Sequence, residues 1–574
     1  MSSPAPVDVG DALEDLINQF SDPMSFFREL IQNAIDAGSD QVEIDFEFEA
    51  SAKDPDSGAM IVIVADSGEG MDREIIDSKL TRLFSSSKDG DMTKIGKFGI
   101  GFVSVFAINP DAVCVDTARA GEAWRVLFDR ERNFKRLRLD AAIEGTTIRI
   151  IKNSTRAEFE QFVARAKQVV RYWCGHAHGE ISVAGELVTE PFGLDAPLTV
   201  SYQDEFSHIH IGHRRGSETL HAFFNGGLTL VQADHNHPTA IAELRGLCFK
   251  VSSRYLEHTL TRDDVIKDGH FGKVVKRLRE LAGDELRDKV FAELDAAVRG
   301  PWPFAESPEA ERLQLLYEAA AWHLTDGKGL ARAHAKLGCA RSPSGRIWTW
   351  VELRKQAAEG VWFASARTPL SDAVEALDRV VLCSYGGVSE DTHQTFVHSV
   401  VRPLIHGLQL IAGTSDDGLW LGKQWYLPLA PDPAELRQWA SLASMAERLL
   451  DDTGHKIAKV AFGHFGPSGS LLDGRAVISQ RELGEATPRA ESGELSKGSL
   501  GKGLFSRRRT LVVDADHPTV RNLLGLAVRE PELAAYQLVK LFLLASGSIA
   551  TADDSQLANV AMTYRETRCP RPMS

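Results

Sequence analysis

Phe26-Phe27-Arg28-Glu29-Leu30-Ile31-Gln32-Asn33-Ala34-Ile35-Asp36-Ala37 is the stretch on which the reading of this 574-residue chain turns. At about 100° per residue, Glu29, Asn33 and Asp36 fall at i, i+4 and i+7 and share one helical face. Phe27, Leu30, Ile31 and Ala34 make the opposite apolar stripe, so the spacing predicts an amphipathic helix packed along one side. Its polar side offers a carboxylate, an amide and a second carboxylate. That set suits Mg-phosphate chemistry, with Glu29 as a base that orients water and Asn33 as an oxygen ligand for Mg.

Working outward, Met60-Ile61-Val62-Ile63-Val64-Ala65 reads as a buried strand that stops at the turn Asp66-Ser67-Gly68-Glu69-Gly70-Met71. Asp66 then sits at a strand end facing a pocket. Gly68 and Gly70 let a planar base approach the backbone while the Asp66 carboxylate accepts from an exocyclic amine, which makes it an adenine reader. A third motif, Gly96-Lys97-Phe98-Gly99-Ile100-Gly101-Phe102, reverses the glycine order of the dinucleotide fingerprint and follows no strong strand. A nicotinamide enzyme is thereby disfavoured. These glycines enter the apolar run Phe102-Val103-Ser104-Val105-Phe106, which suggests a loop whose N–H groups bind phosphate at a helix N-terminus. The fourth motif is Gly145-Thr146-Thr147-Ile148, and no Walker-type loop occurs anywhere.

In this order the four motifs resemble the GHKL superfamily of ATPases, which includes the 90-kilodalton heat-shock chaperones, DNA gyrase, MutL and histidine kinases. The resemblance covers roughly residues 8–155. It implies that Glu29 is the catalytic base, that Asn33 holds Mg, that Asp66 binds the adenine amine, and that Gly96 to Gly101 wrap the phosphates of ATP. Thr146 would join the water network around adenine. Lys88 falls in the lid between the second and third motifs, where the family often places a phosphate-contacting lysine.

Composition is that of ordinary globular protein, with 43% apolar and 25% charged residues, and the length suggests three or four domains. No apolar run approaches the roughly 18 residues of a membrane span. Met1-Ser2-Ser3-Pro4-Ala5-Pro6 lacks a basic start and an apolar core, so a cytoplasmic protein is expected. The net charge of −15 weighs against a protein that grips nucleic acid. Six cysteines, Cys114, Cys174, Cys248, Cys339, Cys383 and Cys569, lie far apart and read as reduced thiols. Histidines alternate at His176/His178, His208/His210 and His235/His237, with His213 near the middle pair. Alternation would set each pair on one side of a strand, but no Cys or Glu cluster completes a zinc site, so plain surface or strand histidines are the expectation.

From about Ile181 the pattern changes to alternating stretches such as Ile209-His210-Ile211 and Leu220-His221-Ala222-Phe223-Phe224, the strands of an α/β domain. Leu260-Thr261-Arg262-Asp263-Asp264 follows, then a basic amphipathic helix from about Phe271 to Leu294. This order is similar to the chaperone's middle domain, and Arg262 takes the place of the arginine that reaches the γ-phosphate when domains dock. Gyrase and MutL relatives use a lysine for that role, so arginine favours the chaperone branch. Between Trp348 and Ser384 the apolar runs predict two strands around a helix. Leu511 to Val520, then helices over Glu532–Ser546 and Ser555–Arg568, resemble the chaperone's dimerising end. Leu533, Leu541 and Leu544, with Tyr536 and Phe542, give an apolar surface wider than one core stripe. Glu491 to Gly503 is Gly/Ser-rich and reads as a flexible segment; the resemblance implies contact with client proteins there.

The expected fold class is therefore α+β and multidomain: an N-terminal GHKL α/β sandwich at 1–185, an α/β middle domain at 186–305 with a smaller part at 306–434, and a C-terminal helical dimerisation domain at 435–574. The resemblance implies an ATP-dependent, stress-related molecular chaperone of the bacterial branch, shortened, that works with ATP and Mg as a homodimer on unfolded client proteins. The rival is a GHKL clamp acting on DNA, of the MutL or gyrase sort, or a specialised stress or defence ATPase. Catalytic roles fall to Glu29 and Arg262. The ATP-binding set is Asn33, Asp36, Asp66, Gly68, Gly70, Met71, Lys88, Gly96, Lys97, Phe98, Gly99, Ile100, Gly101, Phe102 and Thr146.

Overall fold

The computed structural model describes residues 22–81, 100–140, 143–216, 219–234, 236–259, 264–303, 307–325, 332–384, 419–466, 470–489, 509–547 and 551–569. The chain divides into two compact units, Met1–Arg287 and Asp288–Ser574. The expected lid at 85–94, the flexible segment at 491–503 and His235 lie outside the described residues. So do Lys88, Gly96, Lys97, Phe98, Gly99 and Arg262.

In the first unit, helix α1 (Phe26–Asp36) forms where the spacing predicts it. Phe26, Phe27, Leu30, Ile31 and Ala34 are buried while Asn33 and Asp36 are exposed. Each large apolar side chain so buried contributes about 1.5–3 kcal/mol. The helix packs on an eight-stranded sheet whose order is β5-β4-β3-β6-β2-β1-β7-β8. In chain order these strands are β1 (Gln41–Ser51), β2 (Asp54–Asp66), β3 (Ala112–Arg119), β4 (Glu122–Phe128), β5 (Phe134–Leu139), β6 (Thr146–Thr155), β7 (Glu180–Val183) and β8 (Glu186–Leu187). Helix α2 (Arg156–Cys174) starts at a capping box formed by Thr155 and Glu158 and covers the same face as α1. Phe27 lies 6.4 Å from Phe46 and 6.3 Å from Phe162, joining both helices to β1. Glu43, Asp45 and Glu47 alternate outward on β1, as an antiparallel sheet with one wet face requires. The result is a two-layer α/β sandwich.

One local expectation shifts. Ile181, where the alternating pattern of the next domain was expected to begin, pairs with Val42 through the parallel β1–β7 contact and belongs to the first sheet. A parallel partner more than a hundred residues away leaves no mark in a local window.

A second sheet follows in the same unit, ordered β12-β11-β13-β10-β9. It comprises β9 (Leu198–Gln203), β10 (Ser207–His213), β11 (His221–Asn225), β12 (Leu228–Ala233) and β13 (Cys248–Ser253). Asp268 caps helix α3 (Gly269–Leu281) by accepting from the His270 and Phe271 amides. The expected helix over 271–294 is in fact longer and interrupted: α3, a π turn at Ala282–Leu286, and α4 (Arg287–Arg299). The two sheets' layers join where Leu228 enters the first core and Thr229 Oγ1 donates to the Tyr172 carbonyl at 2.6 Å.

The second unit begins within α4 and continues with α5 (Pro308–Thr325), the hairpin β14 (Gly338–Arg341) and β15 (Ile347–Thr349), and α6 (Trp350–Gln356). Strands β16 (Val361–Ala364) and β17 (Val380–Cys383) pair in parallel around α7 (Pro369–Glu375), the strand-helix-strand run read from Trp348 to Ser384. Strand β18 (Trp425–Tyr426), helix α8 (Pro433–Asp452), β19 (Lys459–Gly463), β20 (Val477–Gln480), β21 (Thr487–Pro488) and β22 (Thr510–Asp514) come next. They lead into α9 (Pro518–Ala527), α10 (Pro531–Ala545) and α11 (Thr551–Arg568). The C-terminal helices are thus built on a three-stranded sheet, β19-β22-β20, rather than packing only with one another. On α10, Phe542 is fully buried while Leu533 and Leu544 are 41% and 59% exposed.

All six cysteines are free thiols. Among the described residues no helix is long and apolar enough to cross a membrane, and no group of three or more His, Cys, Asp or Glu is arranged to hold a metal ion. His208 and His210 lie on one side of β10 with rings 4.5 Å apart, whereas His176 and His178 lie in the turn after α2.

Candidate active site

The first and third motifs meet at one glycine. A Cβ placed on Gly101 would stand 2.9 Å from Glu29 Oε2, so the Gly101 backbone lies against the Glu29 carboxylate. Glu29 is buried at 5% exposure on a helix whose next turn presents Asn33 to solvent. Gly101 lies within a short helical turn, Ile100–Val103, in which Phe102 is buried. The Asn33 side chain makes no hydrogen bond among the described residues, so its amide oxygen is open to a hard cation. Burial raises the Asp36 carboxyl above its ordinary value.

The second and fourth motifs meet across a strand pair. Asp66 ends β2 opposite Thr146, the first residue of β6. Burial pushes the Asp66 carboxyl up, and backbone amides of Gly68 and Thr146 oppose that by donating to it; the Gly68 N–H lies 2.9 Å from Oδ1. Gly70 has φ +67°, and a Cβ there would collide with the Ala118 carbonyl, so only glycine fits this turn. Its neighbour Met71 is fixed by its own N–H, which donates to Thr117 Oγ1 at 2.8 Å.

Two residues at this site were given no role by the motifs. Thr117, on β3, also lies 3.0 Å from Thr146 Oγ1, so it binds the second motif to the fourth. A Thr–Thr pair on neighbouring strands is visible only once β3 and β6 are known to pair through Thr117 and Thr146. Arg28 is the other. It is 3% exposed beside Glu29, with its guanidinium 4.9 Å over the Trp173 ring, and burial lowers its pKa. It ties α1 to the end of α2.

The segment containing Arg262 is bracketed by described residues. His258 bridges to Val265, and the Thr259 N–H donates to the Asp264 carbonyl at 2.8 Å. The His258 ring is held below its ordinary pKa chiefly by burial, and the charge of Arg28 adds to that. The base of this loop therefore lies within electrostatic reach of α1.

A family model described as histidine kinase-, DNA gyrase B-, and HSP90-like ATPase matches residues 24–161. This stretch, which holds α1, the Asp66 turn, Gly101 and Thr146, is a GHKL ATPase domain, as the four motifs imply. Among curated proteins, the chaperone protein HtpG of Rhodospirillum rubrum is 29% identical over 246 residues, covering 36% of this chain and 39% of that protein. HtpG of Paramagnetospirillum magneticum is 29% identical over 284 residues, 44% of this chain and 43% of its own length. HtpG of Chromobacterium violaceum is 33% identical over 156 residues, covering 22% and 24%. The chain is thus similar to HtpG chaperones, and spans about two fifths of the first of these relatives.

Proposed function

We propose that this chain hydrolyses ATP and uses the cycle to act on unfolded or partly folded proteins as a dimeric molecular chaperone of the cytoplasm. The observation that carries the reading is the contact of Glu29 with Gly101, which sets a buried carboxylate against the backbone expected to hold the phosphates. The match of residues 24–161 and the HtpG relatives support it.

The chemistry is phosphoryl transfer to water, in which positioning and charge stabilisation dominate. Asp66 accepts from the adenine amine, and Thr117 and Thr146 hold the turn that receives the base. Glu29 orients the attacking water and accepts its proton. Asn33 fits Mg through its open amide oxygen, with Asp36 one turn further along the same face. Mg, when bound, draws charge from the phosphate oxygens. Gly96, Lys97, Phe98, Gly99, Ile100, Gly101 and Phe102 would wrap the phosphates, and Lys88 would reach them from the lid. Arg262 would stabilise charge on the γ-phosphate; a planar fork of donors suits that task, and the nearness of His258 to Arg28 supports it. The C-terminal helices would supply the dimer contact, and the 491–503 segment a client contact.

The second reading is a DNA clamp, and the charge of −15 speaks against it. Steady-state ATPase of the full chain, measured alone, with an unfolded model protein and with duplex DNA, separates the two. Stimulation by the unfolded protein and not by DNA is expected. Stimulation by DNA alone, steepest at low salt, would replace the chaperone with the clamp.

A further inference from the structure

Where α2 ends, the chain delivers one imidazole to the second sheet. His176 Nδ1 lies 3.3 Å from the Glu190 carbonyl oxygen, which can only accept. The ring proton therefore belongs on Nδ1, leaving a lone pair on Nε2. Nε2 lies 2.8 Å from Lys250 Nζ on β13. Carbonyl, imidazole and amine thus stand in the order of orienting group, base and nucleophile. The His176 side chain is 7% exposed, whereas Lys250 is only half-buried and open to a small reagent.

The surroundings favour a neutral amine. His210 stands directly across from Lys250 in the β10–β13 register, His208 touches His210, and the Phe192 ring covers both histidines. Glu190 and Asp195 are the carboxylates that act on Lys250, and Glu190 Oε1 lies 3.8 Å from His176 Nε2. Burial outweighs those two carboxylates and lowers the Lys250 pKa. Burial first, then the Lys250 charge, also lowers His176, so its ring is neutral at neutral pH and able to take a proton.

We propose that Lys250 is an acyl-acceptor site, its amine activated by His176 and its acyl group drawn from a small acyl phosphate. The ammonium first gives one proton to solvent. The neutral amine attacks the acyl carbon, an N–C bond forms, and the C–O bond to phosphate breaks with inorganic phosphate leaving. The second amine proton passes to His176 Nε2 and on to solvent. No electrons change hands. The product amide cannot be protonated, so acylation removes a titratable amine from β13 beside His176 and His210. None of these residues belongs to the nucleotide site, so the inference stands apart from the ATPase reading.

The test treats the full chain with isotope-labelled acetyl phosphate and follows Lys250 by mass spectrometry in the peptide between Glu243 and Glu257. Lys276, whose side chain is 79% exposed, is the internal reference. Lys250 is expected to acylate about tenfold faster than Lys276 at neutral pH, with the advantage lost in His176→Asn and lost in the wild-type chain as acid protonates His176. Should His176→Asn not fold, the wild-type pH profile decides alone. A Lys250 rate no greater than that of Lys276, or a ratio independent of pH, overturns the proposal.

Discussion

Two carboxylates of the first sheet receive opposite treatment. Asp116, on β3, is saturated: Arg125 donates to it twice, at 2.6 and 2.8 Å, and Arg149 adds a third bond at 2.8 Å. Its carboxyl is lowered by the Arg125 hydrogen bond, with both guanidinium charges helping against burial. Asp66, at the end of β2, receives only backbone amides and is raised by burial. A carboxylate closed by arginines holds strands together, while one left with acceptor capacity in a partly buried turn is available to a ligand. The sheet thus carries an arginine-closed acid on β3 and the acid proposed to read adenine on β2, with β6 between them.

The largest effect should follow Asp66→Asn. Replacing the acceptor oxygen by an amide is expected to weaken ATP binding at least about a hundredfold by calorimetry while the fold persists. Wild-type affinity in that variant would remove the distinction from Asp116 altogether. The next effect is in pH. Asp66, raised above 3.8, gains its proton first as pH falls, and protonation removes the carboxylate charge and weakens the acceptor proposed for the adenine amine. Asp116, lowered below 3.8, contributes stability that is complete above that value and is lost only as pH falls through its own, lower value. ADP binding followed downward in pH should therefore decline before thermal unfolding reports any loss at the Asp116 cluster. Simultaneous loss would show that the two acids are not separately tuned. Asp116→Ala should have the smallest consequence for function: about 1–2 kcal/mol of stability in denaturant melts, since Arg125 and Arg149 are left facing each other at 42% and 40% side-chain exposure, with ATP affinity unchanged.

The same contrast explains what the sequence alone could tell. The place of Asp66 at a strand end was legible because a glycine-rich turn follows the apolar run. Glu29, Asn33 and Asp36 were legible through helical spacing, although the two-face picture did not anticipate that Glu29 and Arg28 are buried on their helix. Thr117 was not legible, because its role depends on the pairing of β3 with β6, about thirty residues later in the chain. The parallel β7 strand and the three-stranded sheet beneath the C-terminal helices escaped for the same reason. Residues that act through local periodicity or a turn announce themselves, and those that act through long-range pairing do not.

The most direct test of the account is a paired measurement on Glu29→Ala: ATP affinity by calorimetry and hydrolysis at saturating ATP. Affinity close to wild type with turnover lost would establish the carboxylate beside Gly101 as the base that orients water. Turnover retained, or affinity and turnover lost together, would contradict it.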